Sequence, residues 1–102
     1  MKIKDGVIMQ GLKLPMRLAL IEANQVYSDY GKELVITSAL DGAHSAGSYH
    51  YFGYAIDLRT RFFSSWREKL DVAQKIRDRL NAKSDKFTVV LEDTHIHMQY
   101  NA

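Results

Sequence analysis

Apolar residues recur with the period of an α-helix between the chain's only proline and a glycine. Pro15 fits the first turn of a helix, where its missing N–H is harmless, and Gly31 fits the left-handed position just beyond the end. The pattern therefore predicts a first helix over residues 15–30. Its apolar face is expected to consist of Leu20, Ala23, Tyr27 and Tyr30, widened by Met16, Leu18 and Ile21.

A second helical pattern follows a pair of serines. Ser64 or Ser65 can act as the N-cap, and Glu68 stands in the capping-box position. We therefore expect a second helix over residues 65–81. Its apolar stripe is predicted to contain Trp66, Leu70, Ala73, Ile76 and Leu80.

Shorter apolar segments with a period of two indicate strands. These lie at residues 34–37, 54–58, 87–91 and 95–100. The turn Glu92-Asp93-Thr94 joins the last two as a hairpin, and Asp5-Gly6 predicts a small hairpin or an edge strand within residues 2–9. The prediction is one α+β domain over residues 1–102, with two helices packed on a small antiparallel sheet.

The amino-acid composition argues against several classes of protein. The 102 residues are 46% hydrophobic and 25% charged, with a net charge of +2 and no cysteine. These values argue against a disordered chain, a coiled coil, a disulfide framework and a strongly basic nucleic-acid binder. No long apolar segment or export signal is evident, so we expect a protein that is made in the cytoplasm and does not insert into membranes. We also expect it to be a monomer.

The four histidines fall into two groups, His44 with His50 and His95 with His97. Because His95 and His97 alternate on a predicted strand, their side chains leave the same face of the sheet. His50 and Asp57 are seven residues apart, and Gly53 between them allows a tight bend that turns both toward one point. The clustering makes a shared metal centre plausible.

Two imidazoles and one carboxylate, with water in the fourth position, form the ligand set of a catalytic zinc site. Glu92, three residues before His95, is the nearest carboxylate that can serve as a base, and the histidine that does not bind zinc would lie beside it. The plainer alternative is an α+β domain with surface histidines, in which Asp57 forms a solvated ion pair and Glu92 is a turn residue.

The segment around His50 reads Ser48-Tyr49-His50-Tyr51-Phe52-Gly53-Tyr54-Ala55-Ile56-Asp57. It resembles the signature S-x-H-x-x-G-x-A-x-D of the LAS metallopeptidases, a family that includes lysostaphin-type enzymes, D-Ala-D-Ala peptidases and the sonic hedgehog signalling domain. His95-Ile96-His97 resembles the second signature of the family, H-x-H with a preceding acidic residue. The resemblance covers roughly residues 34 to 100.

The resemblance implies a hedgehog/D-Ala-D-Ala peptidase-like fold and a zinc ion bound by His50, Asp57 and His97. His95 would then assist as acid or base, and Glu92 would orient or deprotonate the water. Some carboxypeptidase branches place the zinc histidine three residues after the acid, which would select His95 instead. The intact H-x-H motif favours His97.

The implied function is a zinc metallopeptidase that hydrolyses peptidoglycan stem peptides, as a D-Ala-D-Ala carboxypeptidase or an L-Ala-D-Glu endopeptidase. Its small size resembles a phage endolysin that reaches the cell wall after release. The arginine that holds the substrate carboxylate in many D-Ala-D-Ala peptidases is not evident between residues 32 and 47, and Arg59 or Arg61 is a candidate substitute. The alternative is a zinc-stabilised, non-catalytic binding module of the hedgehog type.

Overall fold

The computed structural model describes residues 1–40 and 53–102, which form an α+β fold. Within these residues, two helices pack on one face of a five-stranded mixed sheet with the strand order β1-β2-β3-β5-β4. The elements are β1 (Lys2–Ile3), α1 (Leu14–Asp29), β2 (Val35–Ser38), β3 (Ala55–Arg59), α2 (Trp66–Asn81), β4 (Phe87–Leu91) and β5 (His95–Tyr100). Neither of these helices is long and apolar enough to cross a membrane.

Helix α1 lies one residue from its predicted bounds. Pro15 is in its first turn, and Gly31, with φ of +69°, takes the predicted left-handed position after its end. The prediction that Leu18 and Ile21 widen the buried face is wrong, because these side chains are 45% and 61% exposed. At about 100° per residue, both lie on the far side of the helix from buried Leu20 and Ala23.

Helix α2 begins at the predicted cap. The Ser65 hydroxyl accepts a hydrogen bond from the Glu68 N–H at 3.1 Å, and the Glu68 carboxylate accepts one from the Ser64 N–H at 3.1 Å. The reciprocal capping bond therefore involves Ser64 rather than the N-cap residue itself. Together these bonds satisfy N–H groups that have no partner within the helix.

The predicted apolar stripe of α2 is only partly correct. Trp66 and Leu70 are 49% and 44% exposed. Six residues at about 100° each place Leu70 roughly 120° around the helix from buried Ile76, which takes its side chain off the packed face. The helix instead buries Val72, Ala73, Ile76 and Leu80.

The sheet differs from the expected antiparallel arrangement at its first strand. Strand β1 pairs in parallel with β2, and Lys2 lies opposite Val35. Of the two alternatives predicted for residues 2–9, the edge strand is confirmed, because β1 lies at the edge of the sheet. The hairpin is not formed, since the chain turns at Asp5-Gly6 and residues 4–9 contain no second strand. Instead α1 is the crossover that parallel strands require. The other three pairings are antiparallel, and the predicted C-terminal hairpin of β4 and β5 is confirmed.

Gly53 precedes β3 at a point where the backbone has no space for a side chain. Its φ is +81°, and a Cβ atom built there would lie 2.6 Å from the carbonyl oxygen of Gly11. The Lys13 N–H also donates to the Gly53 carbonyl at 3.0 Å. Gly53 thus takes the left-handed conformation that favours glycine, and the close approach of residues 11–13 adds a second reason for glycine at this position. The predicted bend that turns His50 and Asp57 toward one point begins outside the described residues.

We expect Gly53→Ala to lower the free energy of unfolding by about 2 to 5 kcal/mol, because left-handed strain adds to a backbone clash. Gly6→Ala is the matched control, since Gly6 has a φ of +88° and open space around a built Cβ atom. Its loss should be only about 1 to 2 kcal/mol. Urea unfolding of both variants provides the measurement, and equal losses would contradict the proposed clash.

Candidate metal centre

The two central strands carry apolar side chains on one face and polar side chains on the other. Ile56 and Leu58 of β3 and Ile96 and Met98 of β5 are fully buried under the helices. The alternation of a strand therefore places Asp57, His95 and His97 together on the opposite face. Their register is fixed by the pairing of β3 with β5, in which Asp57 lies opposite His97.

These three side chains meet at one carboxylate oxygen. Oδ1 of Asp57 lies 2.9 Å from Nδ1 of His97 and 3.7 Å from Nε2 of His95. Two atoms bound to the same tetrahedral zinc ion at 2.0–2.1 Å would stand about 3.3 Å apart. Both separations are within about half an ångström of that value, and nitrogen and carboxylate oxygen are donors that zinc accepts. Asp57, His95 and His97 therefore offer donor atoms of the types that zinc binds.

The predicted ligand His50 lies outside the described residues, as does the rest of the first motif up to Phe52. In residues 1–40 and 53–102, no group of three or more His, Cys, Asp or Glu side chains qualifies as a metal-binding cluster. Asp57 and the two histidines of β5 are thus an incomplete site in the part of the chain that the structure describes. A metal centre here requires a further ligand, and His50 is the sequence-based candidate.

A series of hydrogen-bonded polar side chains, which we call the polar chain, supports His97 on the side of its Nε2 atom. Nε2 of His97 lies 2.7 Å from Oε1 of Gln99, and the Gln99 amide donates in turn to Oδ1 of Asn101 at 2.7 Å. The Asn101 amide then donates to the hydroxyl of Thr88 at 2.8 Å. Because Gln99 uses its NH₂ group on Asn101, its carbonyl oxygen faces His97 and favours a proton on Nε2. Metal-binding histidines commonly donate their second ring N–H in this way.

Sequence reasoning missed the polar chain, although the sequence contains one signal for it. Gln99 continues the alternation of His95 and His97 and therefore had to share their face. The contributions of Asn101 and Thr88 depend on where the C-terminus passes β4, and no local pattern specifies that. Asn101 is brought there by its backbone N–H, which donates to the Lys86 carbonyl at 2.7 Å.

The pKa of His97 is raised above its ordinary value. The hydrogen bond to Asp57 is the main cause, and Gln99 and the charges of Asp57 and Glu92 act in the same direction. Partial burial opposes them, since it disfavours the charged form. Both ring nitrogens face acceptors, which is the environment of an imidazolium. In the absence of metal, His97 and Asp57 thus form an ion pair that strengthens as the pH falls through the pKa of the imidazole.

His95 and Glu92 occupy the end of the β4–β5 hairpin. Nδ1 of His95 lies 3.1 Å from the Thr94 hydroxyl, and the His95 side chain is 29% exposed. The Glu92 N–H donates to the His95 carbonyl at 2.8 Å, so the hairpin register puts Glu92 on the same face. Its carboxylate is exposed and forms no ion pair with any described residue. It is therefore open to solvent beside the histidines.

We expect NMR titration of the chelator-treated protein to place the His97 pKa above its ordinary value and Asp57→Asn to lower it, because the substitution removes the main cause of the shift. A raised pKa in the folded state stabilises the protein below the unfolded pKa, and this contribution is lost as the pH rises through the folded pKa. Asp57→Asn should thus be more destabilising at about pH 5.5 than at about pH 9. Equal losses at the two pH values would refute the ion pair.

Comparison of the chain with protein-family models, with curated proteins and with solved structures finds no match. The two motifs therefore remain the only link to the LAS metallopeptidases, and the hedgehog/D-Ala-D-Ala peptidase-like fold stays a prediction. The side chains that can carry function on this face are the carboxylate of Asp57, the imidazoles of His95 and His97, and the polar chain that begins at Gln99.

Proposed function

We propose that this protein is a zinc-dependent peptidase that hydrolyses peptidoglycan stem peptides, either at D-Ala-D-Ala or at L-Ala-D-Glu. One observation carries the proposal: two imidazoles on β5 converge on a single carboxylate oxygen of β3. The converging side chains also match the two family motifs, Asp57 in the first motif and His95 and His97 in the second. Substrate of this kind lies in the cell wall, so the protein would act after release from the cell that makes it.

Asp57 and Nδ1 of His97 would hold the zinc ion, with His50 as the third protein ligand. The Gln99 carbonyl supports this role for His97, because it favours a proton on Nε2 and leaves Nδ1 unprotonated for the metal. When bound, zinc supplies a Lewis acid that polarises the scissile carbonyl and lowers the pKa of water at the site. To act as zinc ligands, Asp57 and His97 must first lose the imidazolium proton that lies between them in the ion pair.

His95 is the residue that we assign to proton transfer. Its Nε2 is 3.7 Å from Asp57 and its side chain is partly exposed, so it can reach both the metal site and a peptide bound above the sheet. Glu92, exposed on the same face, would accept the proton from the attacking water. The proton then passes to the leaving amine through Glu92 or His95, which completes hydrolysis of the peptide bond.

Zinc content and turnover should separate these roles. Asp57→Ala and His97→Ala are expected to lose zinc and activity together, whereas His95→Ala should keep zinc and lose about 10²- to 10⁴-fold in kcat, as is typical of a missing acid or base. Elemental analysis and mass spectrometry of muropeptide products provide the measurements. Asp85→Ala is the control, because exposed Asp85 lies before β4 and outside the site.

Three outcomes would count against parts of the proposal or against all of it. Zinc loss in His95→Ala but not in His97→Ala would reverse the assignment of the two histidines. A wild-type protein that binds one zinc ion, unfolds when it is removed and cleaves no muropeptide would instead be the non-catalytic binding module. Full activity of Asp57→Ala would exclude zinc at this site altogether.

The polar chain at Nε2 of His97 gives a separate prediction about zinc affinity. Gln99→Leu removes the acceptor that orients the ring, so we expect zinc affinity to fall about tenfold to a hundredfold. Competition with a zinc-binding dye measures the change. Gln74→Leu is the matched control, because Gln74 is exposed on α2 and bonds only to side chains of its own helix. Equal zinc affinity in the two variants would contradict the supporting role of Gln99.

A further inference from the structure

A concave cationic surface lies at one end of the sheet, where β1 and β2 begin and β3 ends. Two cavities of about 320 and 410 Å³ meet there, since both are lined by Lys4 and Arg59. We call this surface the cationic groove. Its five cationic side chains are those of Lys2, Lys4, Arg59, Arg61 and Lys69. The carboxylates among its described lining residues are those of Asp5 and Asp93, so the groove is positive although the whole chain has a net charge of only +2.

The cations of the groove do not pair with acidic side chains. In residues 1–40 and 53–102, none of the five forms a salt bridge, whereas other surface cations do. Arg79, for example, lies 2.9 Å from Glu22. Like charges that lie close together repel one another, so an anion that joins them lowers the energy of the arrangement. The groove therefore has the charge of a binding surface for anions and not that of a structural salt-bridge network.

The five cations are spread too widely for one small anion. Lys2 and Arg59 belong to strands that stand two places apart in the sheet, so about 10 Å separates the two strands. Lys69 comes from α2 and lines the cavity that Lys2 does not reach. A single carboxylate held by Arg59 or Arg61 would leave the three lysines without an anion. The arrangement instead favours a ligand that carries several negative charges along its length.

The spacing of the lysines matches a phosphodiester polymer. Lys2 and Lys4 are two residues apart in an extended segment, which places their Cα atoms about 7 Å from each other. A glycerol-phosphate chain has six backbone bonds in each repeat, the same number as two peptide residues, so its phosphates recur at about the same interval. Successive phosphates of such a chain can therefore meet Lys2 and Lys4, and later ones can meet Arg59 and Lys69.

Nucleic acid is the other common phosphodiester polymer, and the groove lacks a feature that its bases require. Proteins that bind single strands combine a basic groove with aromatic side chains on which the bases stack. The described lining residues of the two cavities include no Phe, Tyr or Trp. The net charge of +2 is also small for a nucleic-acid binder. A phosphodiester polymer without bases therefore fits the groove better.

We propose that the cationic groove binds a glycerol-phosphate polymer of the bacterial cell wall and so holds the protein where it acts. The choice of a wall polymer rests on the proposed function, because an enzyme that cleaves stem peptides works within the wall. His95 lines the larger cavity, so the groove opens beside the proposed reaction centre. A polymer bound there would keep this centre close to the peptides of the same wall.

The first experiment measures binding of a short glycerol-phosphate oligomer to the whole protein by calorimetry. We expect the oligomer to bind at least about tenfold more tightly per phosphate than glycerol 3-phosphate, because several phosphates are engaged at once. The logarithm of the binding constant should fall linearly with the logarithm of the salt concentration, with a slope set by the number of phosphates contacted. Equal affinity per phosphate for oligomer and monomer would overturn the proposal.

The second experiment removes charge from the lysines of the groove. Lys2→Gln, Lys4→Gln and Lys69→Gln should each weaken oligomer binding about threefold to tenfold and reduce the steepness of the salt dependence by about 0.7 to 1. Lys86→Gln is the matched control, because Lys86 is exposed before β4 and lines neither cavity. If the three groove variants bind the oligomer as well as Lys86→Gln does, the assignment is wrong.

Two further comparisons identify the polymer and separate this proposal from the proposed function. A single-stranded oligonucleotide with the same number of phosphates should bind more weakly than the oligomer, and tighter binding of the oligonucleotide would overturn the choice of a wall polymer. If no muropeptide is hydrolysed but the oligomer binds, the proposed peptidase fails and the groove proposal stands. If muropeptides are hydrolysed and the oligomer does not bind, the groove proposal fails alone.

Discussion

The antiparallel pairing of β3 with β5 is the constraint on which the candidate site depends. Its register places Asp57 opposite His97 and Arg59 opposite His95, so one ladder of hydrogen bonds aligns the carboxylate with its histidine and sets an arginine beside the second histidine. A slip of one residue would move every one of these side chains to the helical face. The buried Ile56, Leu58 and Ile96 make that slip costly, because it would expose them to water.

The helices fix this arrangement from the opposite face. The Tyr27 hydroxyl of α1 donates to the Arg59 carbonyl at 2.8 Å, and burial raises the pKa of that hydroxyl, so it stays a donor. Gly53 fixes the start of the same strand through its contact with residues 11–13. Strand β3 is thus held at both ends by the segment that begins before α1.

Much of the fold and part of the site could be predicted from the sequence. The caps at Pro15, Gly31 and Ser65 are local, so both helices were placed to within a residue, and the alternation of His95 and His97 set their common face. The parallel pairing of β1 depends on long-range packing, which a local pattern does not record. The exposure of Leu18, Ile21 and Leu70 follows instead from their angular distance to the buried residues of each helix, which the predicted apolar faces drew too wide.

The most direct test of zinc binding at Asp57 and His97 is ¹⁵N NMR of the imidazole nitrogens while zinc is added to the metal-free protein. The account predicts that Nδ1 of His97 changes to a metal-bound resonance, that Nε2 keeps its proton toward Gln99, and that the change saturates at one zinc ion per chain. Unchanged His97 resonances at saturating zinc would contradict it.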